Sequence, residues 1–97
     1  MRTMSYREAL REAMLEEMRR DPNVVVFCED ARFWTMPTQG FVDEFGPDRV
    51  PIMPISEEAF TGAAIGAAMT GVRPIVDYTI ANLMYVAWDQ LVNHAAK

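Results

Sequence analysis

The run VVVF at positions 24–27 is the feature that most limits how this 97-residue chain can fold. All four residues are apolar, three are β-branched, and no polar residue alternates with them, which predicts a β-strand covered on both faces. Strands of this kind belong to parallel sheets, in which a crossover helix connects one strand to the next. The run therefore predicts an α/β fold.

The segment before this run is predicted to be an amphipathic helix. Ser5 and Glu8 have the spacing of a capping box, in which each side chain accepts a hydrogen bond from an unpaired backbone N–H at the start of a helix. Pro22 ends the helix, because proline has no N–H donor and disfavours helical backbone in the residue before it. Apolar residues recur at every fourth position and are predicted to face the core: Tyr6, Leu10, Met14 and Met18.

The segments after the run continue the alternation of helices and strands. Residues 31–48 are predicted to be irregular, and residues 49–55 to be extended. Ser56 is predicted to cap a helix that runs to about residue 70, where Gly71 ends it.

A strand at 73–78 and a helix at 82–97 are predicted to complete the chain. The order helix, strand, strand, helix, strand, helix predicts a mostly parallel sheet with crossover helices. The last helix carries apolar residues on more than one side, so it is predicted to be buried on several sides. Three short strands cannot cover such helices alone, which indicates that the chain is truncated or that partner chains complete the fold.

Composition excludes several classes of function. The chain has 14 acidic and 9 basic residues and a formal charge of −5, which argues against binding to a nucleic-acid backbone. No apolar stretch approaches the roughly 20 residues of a membrane span, and no secretory signal is visible. Cys28 is the single cysteine, so no internal disulfide forms, and no Cys/His spacing indicates a metal site. These features predict a cytoplasmic protein.

Two pairs of acidic residues stand where predicted extended segments end. Glu29 and Asp30 follow the first strand, and Glu57 and Glu58 follow the second. Ligands bind at the carboxyl ends of parallel strands, so both pairs are candidates for a functional site. Helix capping or solvation also explains acidic residues in such places.

Two glycines, Gly62 and Gly66, lie four residues apart inside the helix predicted after Ser56. Each costs up to about 1 kcal/mol relative to alanine. Close approach of another helix or of a bound ligand would explain why glycine is found there.

The chain resembles a known family from end to end. The motifs that carry the resemblance are REAL at 7–10, EEM at 16–18, DPNV at 21–24, FGPDRV at 45–50, PISE at 54–57, FTGAAIGAAM at 60–69, GVRPI at 71–75, DQLVN at 89–93 and AAK at 95–97. In this order they resemble the N-terminal, pyrimidine-binding part of the beta subunit of 2-oxo acid dehydrogenases. That subunit belongs to the thiamine-diphosphate-dependent decarboxylase component of the pyruvate, branched-chain or acetoin type.

The resemblance implies a role for several residues. Glu57 matches the catalytic glutamate that bonds a ring nitrogen of the cofactor's aminopyrimidine, and a carboxyl group in an apolar pocket can share a proton with such a nitrogen. Ile55 matches a position that contacts the pyrimidine, Leu83 a position that is often aromatic and stacks on it, and Glu29 a supporting acid after the first strand. Gly62 and Gly66 match a helix that contacts another subunit, although packing within one chain would also explain them.

The resemblance also implies which cofactors and partner subunits the protein has and how much of the domain this chain covers. Residues 1–97 would be the N-terminal portion of a transketolase-like pyrimidine-binding domain, truncated and inactive alone. The complete enzyme would decarboxylate a 2-oxo acid oxidatively and transfer the acyl group to a lipoyl group. The cofactor would be thiamine diphosphate, with magnesium held by a partner alpha subunit. A second beta subunit would complete a heterotetramer, and a lipoyl acyltransferase component would accept the product.

The sequence departs from the family pattern at three places. Leu83 replaces an aromatic residue, Cys28 replaces the glycine usual before the acidic pair, and the loop at 31–40 lacks a double glycine. Leu83 and the loop favour one alternative, a non-catalytic module for subunit interaction, which the presence of Glu57 disfavours. A second alternative is a thiamine enzyme of the transketolase or deoxyxylulose-phosphate synthase type, which shares the pattern of a glutamate followed by glycines. The segment from Asp89 to Lys97 fits the dehydrogenase beta subunit better. The sequence does not specify the 2-oxo acid or the acyl acceptor.

Overall fold

The computed structural model describes residues 3–28, 37–78 and 81–97. The first helix, α1, spans Tyr6–Arg20. The Ser5 side chain accepts a hydrogen bond from the Glu8 N–H at 3.2 Å, and the Ser5 N–H donates to Glu8 Oε2 at 2.7 Å. The capping box predicted from the sequence is therefore confirmed.

The predicted core stripe of α1 is correct only in the second half of the helix. Met18 is buried and Met14 is partly buried, but Tyr6 is 92% exposed and Leu10 is 58% exposed. The reason is that the core of the described chain lies against the last turns of α1. In the described part of the chain, the first turns extend past the core.

Two strands, β1 (Val24–Cys28) and β2 (Arg73–Asp77), form a parallel sheet. Burial along β1 alternates between buried and half-buried, so both faces of this strand are covered to some degree, as its apolar sequence predicts. Ile52 makes a single parallel bridge to Cys28 on β1. The strand predicted at 49–55 is therefore reduced to this bridge, and the parallel arrangement is confirmed.

A short helix, α2 (Phe41–Phe45), lies in the segment that the sequence predicts to be irregular. The Phe41 side chain is fully buried and meets the Phe45 ring edge-on at 6.0 Å between centroids. Arg11 of α1 donates hydrogen bonds to the carbonyls of Pro37 and Gln39, at 2.9 and 2.5 Å, and its guanidinium lies over the Phe41 ring. These contacts hold the turn before α2 against α1.

The core lies between α1, β1, α2 and the residues that follow α2. Its buried side chains are Met18, Val24, Val26, Cys28, Phe41 and Val50. Cys28 is thus a small buried core residue.

The third helix, α3, spans Glu57–Ala68 and follows the bridge at Ile52. It begins after Ser56 as predicted, but the Ser56 side chain makes no capping hydrogen bond, so the prediction of a side-chain cap is wrong. Gly71 follows the helix with φ of +100°, the left-handed conformation that favours glycine at the end of a helix. The stop predicted at this residue is confirmed.

The chain after β2 does not form the buried α-helix that the sequence predicts. It forms a 3₁₀ segment, Ala81–Ala87, and a π segment, Gln90–Ala95, both in contact with α3. Four large apolar side chains are 39–67% exposed: Tyr85, Val86, Trp88 and Val92. Because only α3 makes extensive contact with these segments in the described chain, the remaining apolar faces have no described surface to pack on.

Among the described residues, no helix combines the length and the apolar character needed to cross a bilayer.

Candidate functional site

The acidic start of α3 lies beyond the carboxyl end of β1. Ile52 pairs with Cys28, the last residue of β1, and the Met53 N–H donates to the Cys28 carbonyl at 2.8 Å. Because the two segments run parallel, the residues after Met53 continue past the end of the strand. Glu57 thus enters the region where open parallel sheets bind ligands.

Glu57 is a buried carboxylate, with only 6% of its surface exposed. It shares the buried face of α3 with Phe60, Thr61 and Ala64, whereas the adjacent Glu58 is exposed. In the described part of the chain, no hydrogen bond or ion pair reaches the Glu57 carboxylate, although buried polar groups nearly always have a partner. The helix N-terminus stabilises a negative charge there, but it does not occupy the carboxylate oxygens.

Tyr78 connects α3 to the end of β2. Its hydroxyl oxygen lies 2.6 Å from Thr61 Oγ1, and its ring lies 5.8 Å from the Phe60 ring. Sequence analysis missed this contact because 17 residues separate the two hydroxyls. A signal was nevertheless present, since Thr61 follows Glu57 by four residues and so occupies the same helical face.

The carboxyl end of β2 carries another polar contact that sequence analysis missed. Thr38 is 1% exposed, and its hydroxyl oxygen lies 3.5 Å from Asp77 Oδ2. Asp77 in turn pairs with Cys28 in the sheet. The turn before α2 is thereby joined to the same edge of the sheet that α3 approaches.

The other predicted site residues have different surroundings. Ile55 is 82% exposed two residues before Glu57, so its side chain is available to a ligand or partner. Leu83 is half-buried in the 3₁₀ segment, which packs against α3. Glu29 and Asp30 lie outside the described residues, as do residues 31–36. Thus α3, which begins at Glu57, is in contact with the 3₁₀ segment that carries Leu83.

The two helix glycines differ in their surroundings. A Cβ atom built on Gly62 would lie 3.0 Å from Gln90 Oε1, so this glycine allows the π segment to approach α3 closely. A Cβ on Gly66 would meet no described atom within 4 Å. The sequence predicts a subunit contact at both positions, and the structure shows a close contact within the chain at Gly62.

The described residues include no cluster of three His, Cys, Asp or Glu side chains able to hold a metal ion.

The fold and the buried acid define a class of protein. The chain belongs to the family described as transketolase, pyrimidine binding domain, whose family model matches residues 2–97. The parallel sheet with helices agrees with this α/β fold.

Particular relatives carry more specific names. The pyruvate dehydrogenase E1 component subunit beta of Rhizobium meliloti is 48% identical over 100 residues, which cover 100% of this chain and 22% of the relative. The protein of the same name from Rickettsia felis is 46% identical over 97% of this chain and 30% of its own length. A relative from Oryza sativa, named as the mitochondrial beta-1 subunit, is 41% identical over 97% of this chain and 26% of its own length. The chain therefore spans less than a third of the length of these relatives.

Proposed function

We propose that residues 1–97 supply the pyrimidine-binding part of the beta subunit of a thiamine-diphosphate-dependent 2-oxo acid dehydrogenase, with pyruvate as the 2-oxo acid. The names of the relatives support pyruvate over the branched-chain and acetoin types. The observation that carries the proposal is the buried Glu57 carboxylate, which has no partner in the described chain.

The residues present fit the cofactor. A buried carboxylate oxygen without a partner is the group that a heterocyclic ring nitrogen would satisfy. The exposed Ile55 and the half-buried Leu83 offer apolar surface to a ring, Ile55 two residues from Glu57 and Leu83 on a segment that contacts α3. Leu83 provides van der Waals contact, without the ring stacking that an aromatic side chain would add.

Thiamine diphosphate, when bound, supplies the electron sink for decarboxylation. Glu57 would hold a proton between its carboxyl oxygen and the pyrimidine nitrogen, which fixes the protonation state of the ring. Burial of Glu57 keeps water from competing for that proton and strengthens the hydrogen bond. Ile55 and Leu83 would orient the ring, and Glu29 would support Glu57 from the end of β1.

The proposal includes the partners predicted from the sequence. An alpha subunit would hold the diphosphate and magnesium, a second beta subunit would complete a heterotetramer, and a lipoyl acyltransferase component would accept the acyl group. Residues 1–97 would be the N-terminal portion of the domain, in keeping with the 22–30% of the relatives that they span. A cytoplasmic location stays a prediction, since some relatives are named as mitochondrial.

Tyr85 and Trp88 of the exposed C-terminal segments support the need for further chain. Their rings lie 5.8 Å apart and remain 67% and 50% exposed. We propose that the remainder of the domain or a partner subunit covers them. Gly66, which faces open space in the described chain, would lie in the subunit contact proposed for α3.

Glu57→Gln tests the catalytic role. The variant is made in the complete product of the open reading frame and assembled with the alpha subunit. Glutamine keeps the size of the side chain but loses the titratable proton, so decarboxylation of pyruvate should fall at least 100-fold. The control is Glu58→Gln, which makes the same change of charge one residue away on the exposed face.

The assay is release of carbon dioxide from pyruvate, with assembly checked by size-exclusion chromatography. Glu58→Gln should retain wild-type turnover. Wild-type turnover by an assembled Glu57→Gln enzyme would remove the catalytic role of Glu57. No turnover by the assembled wild-type protein would favour a non-catalytic interaction module.

A further inference from the structure

Tyr78, the residue after β2, makes two contacts with the second turn of α3. Its hydroxyl oxygen is 2.6 Å from Thr61 Oγ1, and its ring is tilted by 35° against the Phe60 ring at 5.8 Å. Thr61 and Phe60 are 2% and 0% exposed. One residue at the end of a strand therefore holds two buried side chains of the helix that begins at Glu57.

The first turn of α3 lacks the usual means of fixing its position. The Ser56 side chain makes no capping hydrogen bond, and the Glu57 carboxylate has no partner in the described chain. Phe60 and Thr61, the next side chains on the buried face of α3, lie one turn later and both contact Tyr78. Thr61 and Glu57 are four residues apart and lie on the same face, so a movement at Thr61 also moves Glu57.

We propose that Tyr78 is a positioning residue: through its hydroxyl contact with Thr61, it fixes the helical turn that presents the Glu57 carboxylate to the cofactor ring. The inference rests on the proposed function, because it gives Tyr78 its role through Glu57. It adds the residue that follows β2 to a site otherwise built from α3 and the 3₁₀ segment.

Removal of the Tyr78 hydroxyl would act directly at Glu57. The Thr61 hydroxyl would stay buried and lose its partner, and the acceptor within its reach in a helix is the carbonyl four residues earlier, which is that of Glu57. A threonine that bonds this carbonyl bends its helix. The loss of one oxygen atom would thus alter the backbone that carries the proposed catalytic carboxylate.

The experiment uses the complete product of the open reading frame, assembled with the alpha subunit. The variants are Tyr78→Phe, Thr61→Val and the double variant. Tyr78→Phe removes the hydroxyl and keeps the ring, and Thr61→Val replaces the hydroxyl by a methyl group. Tyr6→Phe is the matched control, because Tyr6 is 92% exposed and its hydroxyl has no partner among the described residues.

Two measurements are made on each variant. The first is amide hydrogen exchange in residues 57–63 of the cofactor-free assembly, which reports how often the helical turn opens and requires no catalysis. The second is kcat and the KM for pyruvate in the assembled, cofactor-loaded enzyme. A purely structural role would change the yield of assembled enzyme and leave kcat per assembled site unchanged.

Tyr78→Phe should speed exchange in residues 57–63 and lower kcat, each by about 5- to 30-fold, with little change in the KM for pyruvate. The double variant should be no worse than the worse single variant, because no buried hydroxyl is left unpaired. Tyr6→Phe should match the wild type. If Tyr78→Phe fails to assemble, Thr61→Val and the double variant still decide the question.

The outcomes separate this inference from the proposed function. If Glu57→Gln is inactive and the assembled hydroxyl variants keep the wild-type kcat, the positioning role of Tyr78 is overturned and the proposed function stands. If Glu57→Gln keeps full activity, the proposed function fails, and the role given to Tyr78 fails with it. Loss of kcat together with faster exchange, repaired in part by the double variant, supports the positioning role.

Discussion

Arg49 offers the sharpest test of how the described core is held together. Its guanidinium contacts three backbone carbonyls where α1 passes into β1. Nη2 lies 2.6 Å from the Met18 oxygen and 2.9 Å from the oxygens of Asp21 and Val24, and Nε also reaches Val24 at 3.3 Å. The guanidinium carbon also lies over the Phe45 ring, 4.9 Å from its centroid. One side chain therefore links α1, β1 and α2.

The proton count sets the magnitude of the effect. Nη2 has two protons and Nε has one, so at most three hydrogen bonds form at a time. A hydrogen bond to a charged donor contributes about 1.5–3 kcal/mol when buried, and water replaces part of this at a half-buried site. With about 0.5–1 kcal/mol from the aromatic contact, Arg49→Met should lower the free energy of unfolding by roughly 2–4 kcal/mol.

Equilibrium urea denaturation, followed by circular dichroism, measures this loss. Arg7→Met is the matched control, because Arg7 is exposed and has no partner among the described residues. Arg49→Lys should recover only part of the loss, since one ammonium group cannot span the carbonyls that the planar guanidinium reaches. A loss below about 1 kcal/mol, equal to that of the control, would refute the idea that Arg49 links these elements.

Three further changes test other parts of the structure. Gly66→Leu should leave the fold intact but reduce subunit association in sedimentation experiments, whereas Gly62→Leu should also destabilise the fold. Met18→Ala should lower the free energy of unfolding by about 2–5 kcal/mol in urea. The hydrogen bond from Arg19 lowers the pKa of Glu44, so its stabilisation is present at neutral pH and disappears as pH falls through that lowered pKa. Glu44→Gln should therefore lower the thermal midpoint slightly at pH 7 and match the wild type in acid.

The elements that the sequence predicts correctly depend on chemistry between near neighbours. The capping box needs only Ser5 and Glu8, and the end of α3 needs only a glycine at position 71. The strand β1 follows from four adjacent apolar residues. In each case the interaction that decides the structure lies within a few positions, so a single sequence is sufficient to predict it.

The elements that the sequence does not predict depend on distant side chains. The short helix α2 is held by Arg11 and Arg49, and by Arg19, which bonds Glu44 across 25 residues. No local pattern indicates these contacts. The prediction for the chain after β2 is wrong for a related reason. Its apolar residues predict burial, but burial requires a surface to pack against. Among the described elements, α3 covers only part of these residues.

The choice between Glu57 and Glu58 shows how much of the site could be read from spacing. The two acids carry the same charge and lie at the same end of the same helix. Neither composition nor the helix dipole therefore distinguishes them. Helical periodicity does, because Glu57 is in phase with the buried Phe60, Thr61 and Ala64. An acid in phase with a buried face must find a partner or reduce stability. The described chain supplies none for Glu57, so the position makes structural sense only when something outside the described residues bonds this carboxylate.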